Sequence, residues 1–126
     1  MNPIVQKLIQ ALQADERVLA VLLYGSHARG QAEPTSDIDL CVVLFPESNT
    51  PENRENVRLR YLSNEKIDLR IFQALPLYIR SRVLKEGEVL ACKNLDTLYE
   101  LAYRTAQAFE DFKPHYRQYL EQVAHG

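Results

Sequence analysis

The sequence predicts an α+β fold. Three observations carry that reading: an amphipathic helical pattern at the start, two short runs dense in Val and Leu that read as buried strands, and a heptad-like apolar stripe over the last quarter. A length of 126 residues with 46% hydrophobic and 25% charged content is that of one compact domain, residues 1–126.

Asn2-Pro3 supplies a cap and a first-turn proline. Ile4, Val5, Leu8, Ile9 and Leu12 then recur at helical spacing, which predicts a helix over 3–14. Residues 17–24 form an apolar run ended by Gly25 and read as a strand buried on both faces; 38–45 reads the same way. Between them, 26–30 has room for a turn, and 31–36 is a polar loop with one proline. Thr50-Pro51-Glu52 has the order of an N-cap, a first-turn proline and a dipole-favoured acid, so a polar helix should run from 51 to about 62. Over 66–72, Ile67, Leu69 and Ile71 alternate with Asp68 and Arg70, a half-exposed strand. A short helix over 76–86 should close at Gly87, with a strand over 89–92. From 96 to 124, Leu98, Ala102, Thr105, Phe109, Phe112, Tyr116, Tyr119 and Val123 are spaced alternately four and three. This is a long helix, or a helix pair kinked at Pro114. Its seam either packs on the sheet and first helix or receives a helical partner, and it also offers a surface for an oligomer.

A net charge of −2 gives no basic footprint for long nucleic acid. The longest apolar run, Val18 to Tyr24, is far short of a membrane span, and the start lacks the pattern of a signal peptide. Cys41 and Cys92 stand far apart with no Cys-x-x-Cys spacing, against both a disulfide framework and a zinc site. A reducing cytoplasm is the expected location.

The chemistry concentrates in Tyr24-Gly25-Ser26-His27-Ala28-Arg29-Gly30 and Ser36-Asp37-Ile38-Asp39-Leu40. Gly25 has no side chain, so backbone N–H groups there can approach phosphate oxygens, and Ser26 adds a hydroxyl. Asp37 and Asp39, two apart at a strand start, point the same way with α-carbons about 6.5 Å apart. Two such carboxylates repel unless a cation lies between them, and their hard oxygens suit Mg²⁺. Either motif alone is ordinary: Gly-Ser is a common turn, and Asp-x-Asp is more often an exposed strand end. Arg29 either reaches a bound phosphate or caps the turn against a nearby acid. His27, His115, Cys41 and Cys92 read as loop, surface or core positions. No Gly-Lys-Ser/Thr is present, which excludes a P-loop.

Gly25-Ser26, Arg29-Gly30 and Ser36-Asp37-Ile38-Asp39-Leu40 together resemble the motif of the nucleotidyltransferases with the DNA polymerase beta catalytic fold, in particular their minimal prokaryotic members. The resemblance implies a mixed sheet flanked by helices, with a catalytic core over about 1–92 and a helical segment over about 95–125. It implies that Gly25 and Ser26, with Arg29 as a further candidate, bind the triphosphate of ATP. Asp37 and Asp39 would ligate Mg²⁺, two ions in all, and a third carboxylate would lie on a neighbouring strand. Asp68 is the candidate, pointing away from the apolar face of its strand; its ordinary alternative is an exposed residue paired with Arg70. As third acid it would help deprotonate the acceptor hydroxyl.

Minimal members of this family are commonly encoded beside a small helical HEPN ribonuclease toxin and act as its antitoxin by transferring adenylate to a toxin tyrosine. The resemblance therefore implies a HEPN partner docked on the aromatic seam. A second reading gives a small-molecule acceptor of aminoglycoside type, met by Glu47, Glu52 and Glu55. A third is an antitoxin that acts by binding alone.

Overall fold

In the computed structural model, residues 3–25, 30, 37–62 and 66–125 are described, without the side chains of Tyr116 and His125. The first helix, α1, spans Pro3–Gln13 and buries Val5, Leu8 and Leu12, the inner stripe of its helical pattern. Strands β1 (Val18–Tyr24) and β2 (Ile38–Leu44) are the two apolar runs. Helix α2 (Pro51–Arg60) starts as expected: the Thr50 hydroxyl accepts from the Asn53 amide at 3.1 Å with Pro51 in the first turn. Only Val57 of this helix is buried. Strand β3 (Ile67–Ile71), helix α3 (Leu77–Glu86), strand β4 (Glu88–Cys92) and helix α4 (Leu95–His125) complete the chain.

Two single-turn 3-10 segments, Pro46–Ser48 and Phe72–Ala74, follow β2 and β3 and lie outside the sequence expectation. The residue closing α3 also differs in its reason. Gly87 has φ −75°, so no left-handed cap forms; a Cβ there would instead overlap the Val83 carbonyl oxygen.

The sheet is mixed, with strand order β3-β2-β1-β4. β1 pairs antiparallel with both β2 and β4, whereas β2 and β3 are parallel and need the α2 crossover between them. Val21, Leu23, Leu40 and Val42 face α1 and α2 in one apolar cluster. Leu22, Cys41 and Val43 face Phe72, Val83 and Leu98 in a second. This two-sided burial explains why β1 and β2 read as continuous rather than alternating apolar runs.

Helix α4 is a single 31-residue element with Pro114 inside it, the long-helix form of the expectation. Its seam divides along its length. Leu98 and Thr105 are buried against the core, while Phe112, Tyr119 and Val123 are exposed.

Candidate active site

The carboxylates converge at one end of the sheet because of strand register. Asp39 lies directly across from Asp68 on the parallel neighbour β3 and from Tyr24 on the antiparallel neighbour β1. Adjacent strands stand about 4.8 Å apart, and residues in register share a face. That face is the one of the second cluster: Ile67, Leu69 and Ile71 turn toward α2, which leaves Asp68 on the opposite side with Asp39. Asp37 precedes β2 by one residue and is exposed.

Gly25 follows the last residue of β1 with φ +74°, a left-handed conformation that favours glycine. A Cβ at this position would overlap Asp39 Oδ2. The absent side chain thus lets the Asp39 carboxylate lie directly against the Gly25 backbone. Gly30 is likewise left-handed, at φ +70°. Ser26, His27, Arg29 and Ser36 lie outside the described residues, so the site is built here from Gly25, Asp37, Asp39 and Asp68.

Asp68 receives Arg70 Nε at 3.2 and 3.3 Å to its two oxygens, both side chains being partly exposed. In water-screened surroundings such a pair holds geometry more than it adds stability. Tyr24 completes the group. Burial pushes its phenol far above the usual tyrosine range, and the charges of Asp68 and Asp39 push it the same way, so it remains a neutral hydroxyl beside them. Burial likewise raises the Cys41 thiol, which makes that cysteine a core residue rather than a nucleophile.

Among the described residues no trio of His, Cys, Asp or Glu is gathered tightly enough to hold a metal by itself. The donor set nevertheless suits Mg²⁺, which takes one or two carboxylates and completes its octahedron with water and substrate phosphates.

Two of the three acids assigned to a small-molecule acceptor are placed elsewhere. Glu47 and Glu52 lie beyond the far end of β2 from Asp39, and Glu55 is bound to Arg58 at 2.6 Å. Sequence reasoning also gave Tyr24 no role. Its signal was its place immediately before Gly25, on the face that alternation assigns to Leu22.

A profile of the family described as polymerase beta, nucleotidyltransferase, matches residues 6–96, a stretch containing every carboxylate of the site. The chain belongs to the polymerase beta nucleotidyltransferase family. It is 33% identical over 102 residues to a protein of Methanocaldococcus jannaschii named "Putative protein adenylyltransferase MJ1547", with 81% of this chain and 78% of that protein covered. Solved structures share the fold across nearly the whole length. A toxin–antitoxin structure with AMP-PNP superposes with a TM-score of 0.68 at 18% identity, covering 96% of each chain. A structure of tri-AMPylated Shewanella oneidensis HEPN toxin in complex with MNT antitoxin gives 0.67 at 16% identity, covering 95% of this chain and 92% of that one. At these identities the solved structures speak for the fold. Among the described residues of this nucleotidyltransferase, no helix is long and apolar enough to cross a membrane.

Proposed function

We propose that this nucleotidyltransferase transfers AMP from ATP to a tyrosine hydroxyl of a helical HEPN ribonuclease partner and acts as the antitoxin of that toxin. The observation that carries the reading is the register pairing of Asp39 with Asp68 in front of the side-chain-free Gly25. It is supported by the adenylyltransferase name of the archaeal relative and by the AMPylated toxin in the structural neighbour.

In this reading Gly25 and Ser26 cradle the triphosphate through backbone N–H groups and a hydroxyl, with Arg29 reaching the same phosphates. Asp37, Asp39 and Asp68 would hold Mg²⁺, two ions in the loaded site, which when bound supplies charge neutralisation at the phosphates. Asp68 accepts the proton of the acceptor hydroxyl. A free tyrosine has a pKa of about 10 and is a weak nucleophile at neutral pH until that proton is drawn off. The tyrosine oxygen then bonds to the α phosphorus, the bond from that phosphorus to the bridging oxygen breaks, and pyrophosphate leaves. Catalysis is chiefly positioning and electrostatic stabilisation. The partner docks on the outer half of α4, where Tyr119 and Val123 are 61% and 63% exposed.

The test mixes the purified chain, ATP and Mg²⁺ with the product of the adjacent gene and measures intact masses. One or more adenylate additions on the partner, absent with Asp39→Asn, are expected. A partner that is silenced in a tight complex yet never gains mass would show binding without transfer.

A further inference from the structure

The spacing Asp-x-Arg occurs at Asp15-Glu16-Arg17 and again at Asp68-Leu69-Arg70, and the fold holds the two pairs differently. Asp15 is locked. It accepts from the backbone N–H, Nε and Nη2 of Arg17 and from the Tyr61 hydroxyl, and its side chain is 6% exposed. Asp68 is held by a single N–H: Arg70 Nε is shared between its two oxygens at 3.2 and 3.3 Å, and the Arg70 and Asp68 side chains are 55% and 42% exposed. An exposed pair with long, shared hydrogen bonds contributes little, so a competing cation can reach this carboxylate and take it without opening the fold.

Strand geometry places that weakly held carboxylate where a cation is wanted. β3 is an edge strand, and its alternation projects Asp68 and Arg70 from the same face with α-carbons about 6.5 Å apart. On that face Asp68 is in register with Asp39 on β2, one strand spacing of about 4.8 Å away. Carboxylates at that separation repel, and the Arg70 guanidinium, whose charge acts on both, offsets the repulsion. A divalent ion shared by the two acids would offset it in the same way.

We propose that Arg70 is a positioning residue acting through Asp68: it serves as the built-in counter-ion of this carboxylate and competes with Mg²⁺ for the same two oxygens. The inference rests on the reading of Asp68 as a metal ligand. Arg70 holds Asp68 beside Asp39 before metal binds, and metal loading displaces its Nε–H. The displaced guanidinium is already half in water, so its release costs little. The competition weakens binding of the bare ion, which leaves the ion dependent on the nucleotide phosphates that join its coordination.

The experiment measures binding of Mn²⁺, a spectroscopic stand-in for Mg²⁺, to the nucleotide-free full chain by electron paramagnetic resonance of the free ion. Arg70→Gln should bind Mn²⁺ about two- to fivefold more tightly than the unaltered chain, the range an exposed ion pair can supply, with Arg70→Lys between them. A merely structural arginine would not raise metal affinity when removed. In an Asp68→Asn background the same substitution should leave the affinity unchanged. On the unaltered chain, Mg²⁺ titration should move the Arg70 Nε–H resonance toward the shift and solvent exchange of a free guanidinium, which decides the matter even if no Arg70 variant folds. Equal or weaker Mn²⁺ binding by Arg70→Gln, or an Arg70 Nε–H signal unmoved while metal saturates the chain, overturns the inference and leaves the metal site standing. Mn²⁺ binding by Asp68→Asn as tight as that of the unaltered chain overturns the metal-ligand reading of Asp68, and this inference with it.

Discussion

Gly25 couples backbone conformation to the chemistry of Asp39. Alanine at this position would carry about 1–2 kcal/mol of left-handed strain and would press its methyl into the Asp39 carboxylate. Gly25→Ala is therefore expected to lower the melting temperature by a few degrees and to reduce nucleotidyl transfer by about a hundredfold or more. A variant that keeps full transfer would show that the close approach of Asp39 to the Gly25 backbone is not needed. Asp39→Asn should abolish transfer while leaving the melting temperature unchanged or raised, since it relieves repulsion with Asp68 across the β2–β3 pair. Asp68→Asn separates binding from chemistry. Its loss should depress turnover strongly and nucleotide affinity little, because Gly25 and Asp39 remain; calorimetric affinity and single-turnover rates measured on the same variant distinguish the two.

At the scale of elements, Asp15 joins the end of α1 and the start of β1 to the end of α2. It accepts from the Arg17 backbone N–H at 3.0 Å and from Arg17 Nη2 and the Tyr61 hydroxyl at 2.8 Å each, and its side chain is 6% exposed. The hydrogen bond from Arg17 holds this carboxyl well below the usual aspartate range, against the opposing effect of burial. A depressed folded pKa contributes stability above the unfolded value of about 4 and loses it as pH falls from there toward the folded value. Asp15→Asn should accordingly cost about 1–3 kcal/mol at neutral pH, and the gap to wild type should narrow as pH falls below about 4. Urea melts of both proteins across that range provide the check, and a gap independent of pH would assign the effect to packing instead of charge.

At the scale of the molecule, α4 is half core element and half exposed surface. Leu98 is 4% exposed within the second apolar cluster, so Leu98→Ala should cost about 2–5 kcal/mol. Tyr119→Ser combined with Val123→Ser removes only exposed apolar surface. The pair is expected to leave the melting temperature nearly unchanged while weakening the proposed complex with a HEPN partner at least tenfold in a titration. Equal binding by that double variant would move the docking site off the outer half of the helix.

The sequence by itself determined which faces of each element are apolar. The unbroken runs of β1 and β2 marked strands covered on both sides, the alternation of β3 left Asp68 off its apolar face, and the seam of α4 marked a long helix. It also contained the family motif that joins Gly25 to Asp37 and Asp39. Only the tertiary structure decided who sits beside whom. Periodicity records burial, whereas pairing and register arise from packing between residues distant in the chain. The parallel alignment of β2 with β3 set Asp68 opposite Asp39, and the antiparallel one with β1 brought Tyr24 to the same place. The end of α4's contact with the core divided a uniform seam into buried Leu98 and exposed Tyr119, and the fold carried Glu47 and Glu52 away from the site. A local pattern cannot encode these distances, because each depends on how the crossover helix α2 and the hairpin strands pack on one another.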